Sequence, residues 1–115
     1  ITCNPKWPEI QNNLFPYQKP LDVPYLTTRV FNLYNKHIIE DLWEHGIMGR
    51  AVAHIEVIEF QKRGYPHCHL LLTLCNEDKI RDSEQLDSLI CAEIPDPHQF
   101  PILHEIVTSN MMHGP

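Results

Sequence analysis

Two strand-forming runs separated by a short turn are the feature that most constrains how this chain folds. Residues 49–61 are rich in β-branched side chains and alternate polar with apolar positions, which predicts a strand of about ten residues. Residues 62–66 have the composition of a turn, and residues 67–74 predict a second strand. Strands joined by so short a turn pair as an antiparallel hairpin, so the sheet must be at least partly antiparallel.

A long amphipathic helix is predicted before the hairpin. Asp22 is a candidate N-cap, Pro24 is tolerated in the first turn, and Gly46 is a candidate residue just past the C-terminus. Apolar residues recur at steps of three and four between these ends, which is the period of an α-helix. The positions expected to face inward are Leu26, Val30, Leu33, Tyr34, Ile38 and Leu42.

Shorter segments complete the expected architecture. The prolines between residues 5 and 24 predict an extended, turn-rich stretch after a short N-terminal strand over residues 1–3. Short helices are expected around residues 86–90 and over residues 102–112. The fold class that follows is α+β, with a central antiparallel sheet flanked by helices.

Composition narrows the class of protein. The chain has 115 residues, 43% of them hydrophobic, which suits one small globular domain and not a disordered chain. No apolar run approaches the ~20 residues that a membrane span requires, so no membrane partner is expected. The net charge of −6 weighs against nucleic acid at first sight. Net charge says little about a single groove, however, and Lys62 and Arg63 form a local basic pair.

The four cysteines favour reduced thiols over a disulfide framework. They are too sparse for a disulfide-stabilised scaffold, and we expect most of them to be buried. A structural zinc module built from the cysteines and histidines is another interpretation, but no two of these residues have zinc-finger spacing. The cysteines are Cys3, Cys68, Cys75 and Cys91.

His67 and His69 carry the most chemical information. Side chains two residues apart on a strand point to the same face, so both imidazoles project together. Glu59 and Gln61 also share a face and lie where the hairpin pairs with the histidines, whereas His54 is expected on the opposite face. Either Glu59 or Gln61 completes a three-ligand site for a divalent cation, with positions open for a phosphate oxygen. Spacing alone is also compatible with two surface histidines.

Four blocks of sequence resemble, in the same order, the replication-initiator (Rep) nuclease domain of Helitron rolling-circle transposons. Residues 2–10 are similar to the opening motif of that family. Residues 59–71 are similar to its HUH motif, in which a hydrophobic residue separates two histidines. Residues 92–97 and 112–115 resemble two further blocks, so the resemblance extends along the whole chain.

This resemblance implies a member of the HUH endonuclease superfamily. Such domains have an HUH/ferredoxin-like Rep nuclease fold, with the HUH strand in the middle of an antiparallel sheet. They bind single-stranded DNA, use Mg²⁺ or Mn²⁺, and cleave one strand through a tyrosine that becomes attached to the 5′ phosphate. A C-terminal helicase domain follows in the full-length proteins, the whole drives rolling-circle transposition, and a nuclear location is implied.

The resemblance also implies roles for individual residues. His67 and His69 match the two HUH metal ligands. Gln61 matches the position that often supplies a third ligand, and Glu59 is the reserve choice because it shares the same face. Thr2 and Asn4 match the opening motif, on a strand beside the metal strand, and are placed near DNA. Lys62 and Arg63 are added to the DNA-binding residues because they form a basic pair in the turn beside the histidines.

We therefore expect a single Helitron-like Rep/HUH domain over residues 1–115, truncated at both ends. The catalytic tyrosines of the family are expected beyond Pro115, so no catalytic residue is assigned within this chain. The leading hypothesis is the metal-binding core of a Helitron-type HUH single-strand DNA endonuclease. The alternative is a non-catalytic, single-stranded-DNA-binding remnant of a degenerate or domesticated transposon.

Overall fold

A computed structural model describes residues 1–112, which divide into two compact units, Ile1–Lys79 and the residues from Ile80 onward. The first unit contains helices α1 (Pro8–Gln11) and α2 (Pro24–Trp43), a 3₁₀ turn (Pro20–Asp22), and strands β1 (Ala51–Phe60) and β2 (Pro66–Leu74). The second contains α3 (Ser83–Leu89) and α4 (Pro101–Asn110). The expected α+β class with an antiparallel sheet is confirmed. The assignment of residues 1–115 to a single domain stays a prediction.

The two strands form the predicted hairpin. They pair antiparallel, with Glu59 opposite His67. On the other edge of β2, Thr2 forms an antiparallel bridge with His67, and the Cys68 N–H donates to the carbonyl of Ile1 at 2.8 Å. The histidine strand therefore lies between β1 and the N-terminal segment, which places backbone partners on both of its edges.

The core of the first unit lies between the N-terminal segment, α2 and one face of β2. Cys3, Ile10, Val30, Phe31 and Cys68 are buried together there. Burial raises the pKa of the Cys3 thiol to about 11, so this group stays neutral at physiological pH. All four cysteines are free, as expected, although Cys75 is half-buried and Cys91 is exposed.

Helix α2 has the predicted length, but its inward face differs from the expected one. The residues that it buries are Thr27, Val30, Phe31 and Asn35. Leu33 is 61% exposed, so its predicted inward position is wrong. Leu33 follows Phe31 by two residues, a rotation of about 200° around the helix, so the two side chains point in nearly opposite directions.

The segment before α2 is more ordered than its prolines suggest. It contains α1 and the 3₁₀ turn, each of which starts at a proline. Asp22 is not the N-cap of α2, because Val23 occupies that position. The Asp22 carboxylate instead accepts the backbone N–H of Lys19 at 2.7 Å and closes the 3₁₀ turn.

Both helices of the second unit were expected from the sequence. Helix α3 begins at an Asp82 N-cap, whose carboxylate accepts the Gln85 N–H at 2.8 Å. Helix α4 ends at Asn110, two residues before the predicted end. Most of the fourth family-like block, residues 113–115, lies outside the described residues. Among the helices of residues 1–112, none is long and apolar enough to span a membrane.

Candidate metal centre

His67 and His69 project from the same exposed face of β2, as strand alternation requires. Their ring centroids lie 4.6 Å apart, with an angle of 70° between the ring planes. Cys68, the residue between them, points the other way into the core and is 1% exposed. Burial of Cys68 thus fixes the direction of both imidazoles, because a strand that buries one residue must present its neighbours on the opposite side.

Glu59 joins this face from β1. It lies opposite His67 in the strand register, but its side chain reaches diagonally to His69. The distance from Glu59 Oε1 to His69 Nε2 is 2.7 Å, a short contact between a carboxylate and an imidazole nitrogen. This contact orients the His69 ring.

Thr2 and Gln61 lie at the other histidine. Thr2 Oγ1 is 3.0 Å from Nδ1 of His67, and Gln61 Nε2 is 3.5 Å from the same atom. Gln61 is positioned by the hairpin loop, since its backbone N–H donates to the carbonyl of Tyr65 at 2.9 Å. The side chains that converge on this face, called the histidine cluster below, are Thr2, Glu59, Gln61, His67 and His69.

The surroundings of His67 favour its neutral form. Partial burial lowers the pKa of this imidazole, and the amino group of Ile1 and the ring of His69 act in the same direction. Glu59 opposes them, with the smallest effect. A neutral imidazole is the form that donates a lone pair to a metal.

The other predicted DNA-contacting residues lie outside the cluster. Asn4 accepts the backbone N–H of Lys6 at 2.9 Å and so stabilises the turn that follows the N-terminal segment. Lys62 and Arg63 are exposed on the hairpin loop, which Gly64 closes with a φ of 80°. The loop therefore presents two positive charges directly after Gln61 in the sequence.

The distance between the ring centroids of His67 and His69, 4.6 Å, equals the distance expected between two imidazoles on one cation. Imidazoles at adjacent positions of one octahedral cation, with bonds of about 2.1 Å, hold their ring centres roughly 4.6 Å apart. Within residues 1–112, however, no three His, Cys, Asp or Glu side chains are arranged as metal ligands. Glu59 Oε1 lies against a nitrogen of His69, so its carboxylate must rotate to reach a cation bound to both rings.

Burial on opposite sides of the sheet weighs against the structural zinc module. Cys3 and Cys68 are both in the core, whereas His67 and His69 are on the exposed face. His54 is also on the side away from the cluster, as predicted, with its ring 4.9 Å from that of Trp43.

The fold and this face define a small α+β domain that carries two histidines on strand β2 of its antiparallel hairpin. A family model described as the Helitron helicase-like domain at the N-terminus matches residues 1–72. The chain belongs to this family, which confirms the Helitron-like part of the resemblance, and the matched residues include every member of the histidine cluster. The HUH superfamily assignment and the resemblance of residues 92–97 and 112–115 stay predictions. No curated protein sequence matches the chain.

The contact between Thr2 and His67 is the part of the site that sequence reasoning missed. The family-like opening motif placed Thr2 near DNA, on a strand beside the metal strand. The structure confirms the neighbouring strand position and adds a side-chain contact to a predicted ligand. The strand pairing implied by the resemblance was the signal that pointed to this contact.

Proposed function

We propose that this chain is the metal-binding core of a Helitron-type HUH endonuclease that acts on single-stranded DNA. The observation that supports this most is the histidine cluster, where two imidazoles, a carboxylate and a carboxamide meet on one exposed face. Membership of the Helitron family makes strand cleavage during rolling-circle transposition the chemistry to expect of such a cluster.

In this proposal His67 and His69 hold Mg²⁺ or Mn²⁺, with Gln61 or Glu59 as the third ligand. The bound cation supplies Lewis-acid stabilisation of charge on a phosphate. The carboxamide of Gln61 already contacts His67, and its oxygen and nitrogen exchange places by a rotation of the amide. If Gln61 is the ligand, Glu59 keeps its contact with His69 and orients that ring.

The proposed DNA-binding residues are Thr2 of the cluster itself and three residues outside it, Asn4, Lys62 and Arg63. Lys62 and Arg63 offer positive charge to phosphates from the hairpin loop, and Thr2 and Asn4 lie on the segment along the other edge of β2. A nucleophilic tyrosine, a helicase domain in the full-length protein and a nuclear location belong to the same proposal. They rest on family membership alone.

Titration with Mn²⁺ by isothermal calorimetry tests the metal assignment. The double variant His67→Ala/His69→Ala should lose measurable binding, because two of three ligands are gone. The matched control His37→Ala/His98→Ala also removes two histidines, one on α2 and one in the second unit, and should bind as the parent does. Equal Mn²⁺ affinity of the His67/His69 variant and the parent would show that the assignment is wrong.

The second candidate function is a non-catalytic remnant that binds single-stranded DNA without a metal. The observation that favours it is that no three His, Cys, Asp or Glu side chains are arranged as metal ligands within residues 1–112. It predicts no heat of Mn²⁺ binding, and the same affinity for an oligonucleotide in Mn²⁺ as in excess chelator. A tighter complex in Mn²⁺ supports the nuclease core instead.

A further inference from the structure

A pair of exposed aromatic rings lies in the first unit, outside the histidine cluster. The rings of Phe15 and Tyr17 are nearly parallel, with 10° between their planes and 5.9 Å between their centroids. They are nevertheless 62% and 81% exposed. Core aromatics bury their faces, whereas this pair leaves most of its aromatic surface in contact with solvent.

The turn that carries these rings is held by hydrogen bonds. The Gln18 N–H donates to the carbonyl of Phe15 at 2.9 Å, and the Phe15 N–H donates to Oε1 of Gln18 at 3.0 Å. Pro16, between the two rings, restricts the backbone further. The backbone that carries the pair is therefore restrained, which reduces the entropy lost when a planar ligand stacks on the rings.

The chain that follows the pair contacts the hairpin loop. A Cβ added to Gly64 would lie 3.4 Å from Cδ2 of Leu21, so Leu21 packs beside the loop that presents Lys62 and Arg63. Leu21 follows Tyr17 by four positions, a reach of about 14 Å even when the backbone is fully extended. The aromatic pair and the basic loop thus lie within a few nucleotide lengths of each other.

We propose that Phe15 and Tyr17 form a base-stacking platform for single-stranded DNA that crosses the basic hairpin loop toward the histidine cluster. This inference rests on the proposed function and adds residues that bind the strand. Exposed, rigid aromatic rings next to positive charge are how proteins bind single strands without reading their sequence. A duplex is a poorer ligand for the platform, because its base faces are already stacked on each other.

Fluorescence anisotropy with two labelled oligonucleotides of equal length tests the platform on the 115-residue chain. One is oligo-dT, and the other is an abasic sugar–phosphate strand with the same charge. Phe15→Ala and Tyr17→Ala should each weaken oligo-dT binding by about fivefold or more, and neither should change abasic-strand binding. Tyr17→Trp should retain oligo-dT binding, whereas Tyr17→Leu, which keeps an apolar side chain, should lose it.

Two controls separate stacking from general effects. Tyr25 is also exposed, at 69%, but belongs to α2, and Tyr25→Ala should bind both strands as the parent does. Lys62→Ala/Arg63→Ala should weaken binding of both strands, because it removes two positive charges that attract phosphates and both strands carry the same phosphates. Melting temperatures equal to that of the parent show that the aromatic variants are folded.

Three results overturn the platform, and they differ in what they say of the proposed function. If the parent binds oligo-dT and the Phe15 and Tyr17 variants bind it equally well, the platform is wrong while DNA binding stands. If the variants lose both strands equally, the rings do not act by base stacking. If the parent binds neither strand, the platform and the proposed DNA-binding function both fail.

Discussion

At the scale of single residues, the two histidines of β2 are contacted by side chains from the N-terminal segment and from the end of β1 with its loop. His67 is contacted by Thr2 and Gln61, whereas His69 is contacted by Glu59. Each imidazole thus has its own polar partner, and such partners usually set the orientation of a metal-binding histidine. Whether Glu59 or Gln61 is the third ligand of the proposed metal site is decided by which substitution lowers the Mn²⁺ affinity more.

Glu59→Gln and Gln61→Ala are expected to differ in their effect on Mn²⁺ affinity. If Gln61 is a ligand and Glu59 orients His69, Gln61→Ala abolishes tight binding, whereas Glu59→Gln weakens it by about 10- to 100-fold. The opposite order identifies Glu59 as the ligand. Calorimetric titration measures both, and parent-like affinity in both variants would mean that neither residue takes part.

A second residue-scale prediction concerns Asp78 and pH. Its carboxylate accepts the Nε–H of Arg50 at 3.1 Å and the backbone N–H of Arg50 at 2.7 Å, and these bonds lower the pKa of Asp78 from 3.8 to about 2. The native state therefore binds this proton less readily than the unfolded state, so the stabilisation is complete above pH 3.8 and is lost as the pH falls through about 2.

Thermal melts of the parent and of Asp78→Asn between pH 6 and pH 2 measure this contribution. The parent should melt at the higher temperature at pH 6, and the difference should shrink steadily below about pH 4. A difference between the two proteins that is independent of pH would contradict the role of the Asp78 charge.

At the scale of elements, helix α2 holds the sheet in place through one narrow face. Phe31 is fully buried in the same core cluster as Cys68 of β2 and Cys3 of the N-terminal segment, so one helix residue belongs to the core that these three segments share. Few other large side chains are buried in this unit, and each therefore contributes a large share of its stability.

Phe31→Ala should lower the free energy of unfolding by about 3–5 kcal/mol, because it leaves a large cavity in a small core. Leu33→Ala, on the same helix but 61% exposed, is the matched control and should change stability by less than about 0.5 kcal/mol. Urea denaturation followed by circular dichroism measures both. Similar midpoints for the two variants would contradict the observed face of the helix.

The hairpin loop gives a second element-scale prediction. Gly64 has a φ of 80°, and a Cβ there meets Leu21 only at ordinary contact distance, so the cost of a side chain is backbone strain. Gly64→Ala should destabilise the chain by about 1 kcal/mol, and Gly64→Asn by less, because asparagine tolerates this conformation better. Equal stability of the parent and Gly64→Ala in urea would show that the loop adopts another conformation.

At the scale of the whole molecule, the family match covers residues 1–72, which lie within the first compact unit. That unit contains the histidine cluster, the basic hairpin loop and the aromatic pair. A ligand that binds this unit in its native state more tightly than it binds the unfolded chain should raise the melting temperature.

Mn²⁺ should raise the melting temperature of the parent, by roughly 5–15 °C at a concentration of 100 times Kd. Excess chelator should return the melting temperature to its original value. The His67→Ala/His69→Ala variant should melt at the same temperature with and without Mn²⁺, while the His37→Ala/His98→Ala control behaves as the parent. A parent that gains nothing from Mn²⁺ would contradict a native metal site.

The sequence alone determined the features that depend on local periodicity. The alternation of β1 and β2 and the short turn between them fixed the hairpin, and with it the shared face of His67 and His69. The three- and four-residue repeat fixed the existence and length of α2. These patterns are readable because each residue's direction follows from its nearest neighbours along the chain.

Only the tertiary structure decided which partners those faces meet. Leu33 and Phe31 fit the helical repeat about equally well, and the position of the sheet determined that Phe31 is buried. Thr2 lies 65 residues from His67 in sequence, so no local pattern reveals their 3.0 Å contact. Contacts between distant segments depend on how the whole chain closes around its core, which is why the completed histidine cluster appears only in the folded molecule.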